Sequence, residues 1–196
     1  MGSFSDKELA LAINYLEYLG TDKYTPTQIE QEMFKLGLSY NVFAANERVY
    51  IQLSGIEESL VEGIQIFEHI LSSVEPAQTP YDNMVLDIIR ERADNKLSKW
   101  GILSGMRNYA KYGQDSPFRD IISIDELKDI DVRDLTNKIK NLMSYDHYVY
   151  YYGRNNILDI QKILNTYHDV PEERKPVIEP KVFKELENIK NKVYFV

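Results

Sequence analysis

Leu9, Ala12, Ile13, Leu16 and Leu19 recur at three- and four-residue spacing within the stretch 5–21, SDKELALAINYLEYLGT. That spacing puts five apolar side chains on one face of a helix and obliges the rest of the chain to cover them. Ser5 is placed to cap the first free N–H groups, and Glu8, three residues on, completes a capping box. Gly20 is expected to supply the positive-φ position that ends the helix.

The elements that follow alternate in period. Thr25-Pro26-Thr27-Gln28 is a second capping box with proline at the first helical position, opening a helix through Leu36 that Gly37 closes. Ile29, Met33 and Leu36 line its apolar face. The period then drops to two: Tyr40, Val42 and Ala44 alternate, as do Val49, Ile51 and Leu53, around a turn at Asn46. This predicts a hairpin lying on the helix layer.

Residues 56–74 return to helical spacing, with Leu60, Ile64, Phe67 and Leu71 inward and Glu57, Glu58 and Gln65 outward. Thr79-Pro80 starts a long helix through Met84, Leu86 and Ile89 towards Leu97 and Trp100, with a separate helix over 103–111. Short helical signals follow at 124–127. A helix over 131–143 has Val132, Leu135, Ile139 and Leu142 as its buried stripe. YDHYVYYYG, 145–153, reads as a strand by its aromatic and β-branched content, and 158–164 as a final helix.

From Leu19 to Gly55 the order is a helix ending in Gly-Thr, a Lys-Tyr turn, a short helix ending in Gly and a hairpin. This order resembles the segment after the metal-binding helix in the pitrilysin/insulinase family of zinc metallopeptidases. The resemblance extends to a later strand ending in Gly before a helix, and covers about 6–168. Active members carry H-x-x-E-H just before the Gly-Thr, and here those three positions hold Leu11, Asn14 and Tyr15. Leucine has no lone pair, a neutral amide is no general base, and tyrosine would have to lose a proton with a pKa near ~10 to become a good ligand. The family's third ligand is an acidic residue on a later long helix. In NMVLDIIRERAD, Asp87 and Glu91 flank the place, and apolar Ile88 falls about on it.

The resemblance implies an α+β fold, with helices packed on one face of a mostly antiparallel sheet, as in one repeat of such a peptidase truncated at its N-terminal strands. It implies an inactive peptidase-like domain at 1–168, a linker at 169–192 and the start of a following strand at 193–196. No cofactor is expected in this chain, and zinc in the parent enzyme. The implied role is a wall of the substrate chamber supporting peptide-bond hydrolysis by a zinc site in another domain. The partners would be the parent's other domains and a peptide substrate. The alternative is a structural or peptide-binding subunit module with no hydrolytic role. Without leading strands, the hairpin or the segment 148–152 should offer an unpaired edge, through which a homodimer, or capture of the strand 193–196 by the same chain or a neighbour, is expected.

Composition removes other classes. A formal net charge of −8 and the lack of a basic stripe disfavour nucleic-acid binding. Absent cysteines exclude disulfides and thiolate chemistry and fit either cytoplasm or periplasm. No apolar run reaches the ~18 to 20 residues of a membrane span. Ser54-Gly55 and Ser104-Gly105 lack the frame of a nucleophile elbow. Glu57/Glu58 and Glu172/Glu173 read as solvated carboxylates. Of the three histidines, His69 sits on a helix face, His147 at a strand start and His168 at the linker edge. None has a second ligand at metal spacing in the sequence. A metal recruited by the three together is the weakest reading. Arg107, Tyr109 and Tyr112 are the candidates for a peptide contact, with packing and surface capping the plainer account.

Overall fold

A computed structural model describes residues 6–45, 48–177, 179, 181–187 and 190–195. The first helix, α1 (Lys7–Leu16), is capped by Asp6, whose carboxylate accepts from the Leu9 N–H at 2.9 Å. The expected cap, Ser5, lies outside the described residues. Gly20 does not end α1. The helix stops at Leu16 through a turn closed by Tyr18 N–H to Tyr15 O, and Gly20 is not among the glycines with positive φ. Leu9, Ala12, Ile13, Leu16 and Leu19 are all buried, as their spacing predicts. At about 1.5–3 kcal/mol for each large aliphatic side chain, this face is a principal source of cohesion.

Helix α2 (Pro26–Lys35) has the full Thr25–Gln28 capping box, and Gly37 (φ 64°) follows it in the left-handed region. Strands β1 (Leu38–Ala45) and β2 (Arg48–Gly55) pair antiparallel with Val42 opposite Ile51 and Tyr40 opposite Leu53. The turn at Asn46 lies outside the described residues. Tyr40 meets Phe67 at 5.7 Å between ring centroids, on helix α3 (Leu60–Ser73), which follows a 3-10 turn at Glu57–Ser59. A Cβ on Gly63 of α3 would come within 2.4 Å of Leu38, so glycine allows helix and hairpin to approach. Phe43 and Tyr50 stack on the opposite face of the sheet, 5.0 Å apart.

The long helical stretch is two helices, α4 (Gln78–Leu97) and α5 (Lys99–Tyr112), broken at Ser98, which caps α5 through the Gly101 N–H. The second helix therefore starts earlier than expected at 103. Of the apolar residues read along this stretch, Met84 is buried and Ile89 half-buried, whereas Leu86 and Leu97 on α4 and Trp100 on α5 are exposed. Helix α6 (Ile124–Asp129) carries a Ser123–Glu126 capping box. Helix α7 (Val132–Lys140) buries Val132, Leu135 and Ile139, with Leu142 following in a 3-10 turn, and packs on α1. Lys138 ties the two together through Asp6 at 2.9 Å and Glu8 at 3.4 Å. Helix α8 (Ile157–Tyr167) lies against α3.

The expected strand over 145–153 is corrected. Only Tyr145 forms a bridge, parallel to Lys175, and 146–152 pairs with no strand among the described residues. Aromatic and β-branched content favours a strand only where a neighbouring strand and a face receive it. Here Tyr148, Tyr150 and Tyr152 point to solvent. Val193, Tyr194 and Phe195 likewise join no strand, and Val196 lies outside the described residues. The architecture is α+β: eight α-helices and a two-stranded antiparallel sheet among the described residues.

Candidate functional site

The three positions that the resemblance matches to the metal motif separate by burial. Asn14 is exposed, whereas Leu11 and Tyr15 are sealed in the core at 6% and 0% exposure. The Tyr15 hydroxyl donates to Ala77 O at 2.6 Å and accepts from Ala77 N–H at 2.8 Å. Ala77 is the N-cap residue of α4 and has no capping side chain, so the buried phenol serves the backbone where α4 starts. The ring also meets Tyr81 edge-on at 5.5 Å, and Tyr81 donates to Leu127 O at 2.6 Å. Burial raises both phenols above the ordinary tyrosine range, Tyr81 to about 12.

Zinc does not fit here. The donor set is a leucine, an amide and a neutral phenol already engaged twice. On α4, Ile88 packs against the core, and Asp87 is exposed and paired with Arg90 at 3.0 Å. Among the described residues no three His, Asp or Glu side chains converge as a metal cluster.

On α5, Arg107 is exposed, while Tyr109 and Tyr112 are engaged by the chain's last segment. Tyr194 packs edge-on to Tyr109 at 5.9 Å and Phe183 to Tyr112 at 6.3 Å. The Leu186 N–H donates to Lys111 O at 2.7 Å, and Lys111 pairs with Glu185 at 2.8 Å. An extended length of this chain thus lies along the face read as a peptide contact.

Sequence reasoning missed two arrangements. Glu57 is not a free surface carboxylate. It accepts from the Tyr151 hydroxyl, from Arg154 N–H at 2.6 Å and from Asn155 N–H at 2.8 Å, with the Arg154 guanidinium at 3.1 Å. The Tyr151 hydrogen bond foremost, then those backbone donors, hold its carboxyl down at about 2. The second is a histidine pair. His147 Nε2 lies 2.9 Å from His168 Nε2, and His168 Nδ1 lies 2.6 Å from Glu68 on α3. The two histidines are 21 residues apart and the glutamate 100 from His168, so no local spacing could announce them. His69 stands apart, satisfied by Thr21 and Asp22 at 3.1 Å each.

No protein-family model matches this sequence, and no curated protein does. Solved structures do match. The ferredoxin protease FusC, in complex with Arabidopsis ferredoxin, is 15% identical with a TM-score of 0.74, over 92% of this chain and 20% of that one. A protease from Helicobacter pylori is 16% identical with a TM-score of 0.64, over 95% and 47%. The periplasmic protease PqqL from Escherichia coli is 9% identical with a TM-score of 0.71, over 94% and 21%. The chain thus spans between a fifth and about half of these proteins. Among the described residues, no helix is long and apolar enough to cross a membrane. Nearly all of this chain therefore shares the fold of a stretch of pitrilysin-type peptidases.

Proposed function

We propose that this chain is a non-catalytic domain of a pitrilysin-type zinc peptidase, lining the substrate chamber while another domain holds the zinc. The observation that carries this reading is the burial of Leu11 and Tyr15, which turns the positions of the two metal-binding histidines into core and helix-capping positions. The shared fold supports the parent class, and the share of each protease covered supports a part within a larger enzyme. Its partners on this reading are the other domains of that enzyme and a peptide or protein substrate. One neighbour of the same fold is seen with a protein, ferredoxin. The edges of the two-stranded β1–β2 sheet, which no further strand among the described residues joins, are where a strand of a neighbouring domain, or of a second copy, would pair.

The test is hydrolysis of a quenched fluorescent, unstructured peptide by the purified chain with added zinc, against a chelator control. No chelator-sensitive cleavage is expected. Zinc-dependent turnover that survives repurification would overturn the non-catalytic assignment. A restored motif, Leu11→His with Asn14→Glu and Tyr15→His, should lose the folded state rather than gain activity. It puts two imidazoles where an aliphatic side chain and a doubly bonded phenol now sit.

A further inference from the structure

We propose that the C-terminal end of α5 and the loop behind it form a docking face for an extended peptide of the pattern basic–x–aromatic–x–acidic, and that this chain's own segment 181–185 fills it in cis. Side chains of an extended chain alternate between two sides, so residues 181, 183 and 185 share one side. Each of the three meets its chemical complement. Lys181 pairs with Asp120 at 2.9 Å, the Phe183 ring packs edge-on to Tyr112 with centroids 6.3 Å apart, and Glu185 pairs with Lys111 at 2.8 Å. Val182 and Lys184, between them, are exposed. Cation, ring and carboxylate are therefore matched in order by carboxylate, ring and cation, over a run that pairs with no strand among the described residues. These contacts are independent of the peptidase reading.

The face is built by groups that the segment does not supply. Lys111 is in the last turn of α5, where backbone carbonyls have no partner within the helix, and its carbonyl accepts the Leu186 N–H at 2.7 Å. That bond reads main chain and sets the register of the side chains ahead of it. Leu186 lies over Gly113, where a Cβ would come within 3.3 Å of its side chain. Asp120 is only 14% exposed and also holds Lys7 at 2.7 Å. Burial would raise its carboxyl, but Lys7 and Lys181 outweigh that and keep it below the ordinary range, so an anion stands at this end of the face. The occupant is held lightly. The Lys111 and Glu185 side chains are 51% and 63% exposed, and exposed ion pairs of this kind contribute little each. Occupancy rests on the high local concentration of a tethered segment, which a free peptide of the same pattern can overcome.

The test is fluorescence anisotropy of a labelled peptide KVFKELE, residues 181–187, titrated with the 196-residue chain. The parent should bind weakly because its own segment competes. Phe183→Ala with Glu185→Ala in the full chain opens the face at residues outside the core, and should bind the peptide about tenfold more tightly. Adding Lys111→Glu to the opened chain should abolish binding, and a peptide carrying Glu185→Lys should restore it. That exchange of charge separates a docking face from a loss of fold. No saturable binding to the opened chain, equal binding of a scrambled peptide, or indifference to Lys111→Glu would overturn the proposal. A parent dimer that free peptide dissociates would put a second copy's segment on the face and overturn occupancy in cis. Binding without cleavage upholds this proposal and the non-catalytic reading together. Zinc-dependent cleavage of the bound peptide would sink the non-catalytic reading alone.

Discussion

Replacing Tyr15 by phenylalanine removes one oxygen and keeps the ring, which isolates what the hydroxyl does where α4 begins. Two hydrogen bonds go, one to each backbone group of Ala77. The carbonyl keeps a second partner, the Tyr81 N–H at 3.3 Å, whereas the N–H has no second partner among the described residues. A net loss of about 1 kcal/mol for the carbonyl bond and about 1–2 kcal/mol for a stranded, poorly hydrated N–H sums to ~2–3 kcal/mol. For a chain of this size that is a fall of about 4–12 °C in Tm, at ~2–4 °C per kcal/mol. The edge-on contact with Tyr81 survives, so Tyr15→Ala should cost more, about 3–5 kcal/mol, by opening a cavity as well. The assay is urea unfolding followed by far-UV circular dichroism, with amide exchange at Ala77 as the local readout. The slope m should stay constant and the Ala77 amide should exchange faster. A Tyr15→Phe protein within ~0.5 kcal/mol of the parent, with unchanged exchange at Ala77, would refute the capping role.

Three further outcomes are expected. Burial first, and the nearby Asp82, push Tyr81 up to about 12 from 10.0. The stability it contributes is therefore complete below pH ~10 and lost as pH rises towards ~12, and Tyr81→Phe should flatten the alkaline limb of a Tm–pH profile. Glu57 moves the other way. Its folded value of about 2, against 4.5, makes its contribution present above pH ~4.5 and lost as pH falls towards ~2. Glu57→Gln should speed amide exchange at Arg154 and Asn155 at neutral pH and remove the acid dependence there. Unchanged exchange would count against the anchor. Gly55 has φ 143°, and a Cβ there would lie 2.1 Å from Gly37 O. Gly55→Ala should cost about 1–3 kcal/mol in denaturant unfolding and more than Gly37→Ala, whose clash is with the movable end of Ile56.

Much of the helical layer was readable because its signals are local. The Thr25–Gln28 box, Gly37 behind α2 and the buried stripe of α7 each need only neighbours within four residues, and each stands as read. The hairpin register follows from alternation, since a slip of one residue would turn Tyr40 and Val42 outward. The same local signals misled where a partner was required. The tyrosine-rich stretch after Tyr145 has the content of a strand but no neighbouring strand among the described residues, and Leu86 lies exposed on α4.

By itself the sequence determined that Leu11, Asn14 and Tyr15 cannot make an H-x-x-E-H zinc site, because ligand chemistry belongs to residue type. Only the tertiary structure decided what those residues do instead. Tyr15 became a capping group because α4 begins at its hydroxyl, and Glu57 became an anchor because the backbone of 154 and 155 turns its N–H groups to it. His147, His168 and Glu68 became one cluster because α8 docks on α3. Type and local spacing travel with the chain, whereas a contact across 21 or 100 residues exists only once packing has closed the loop between them.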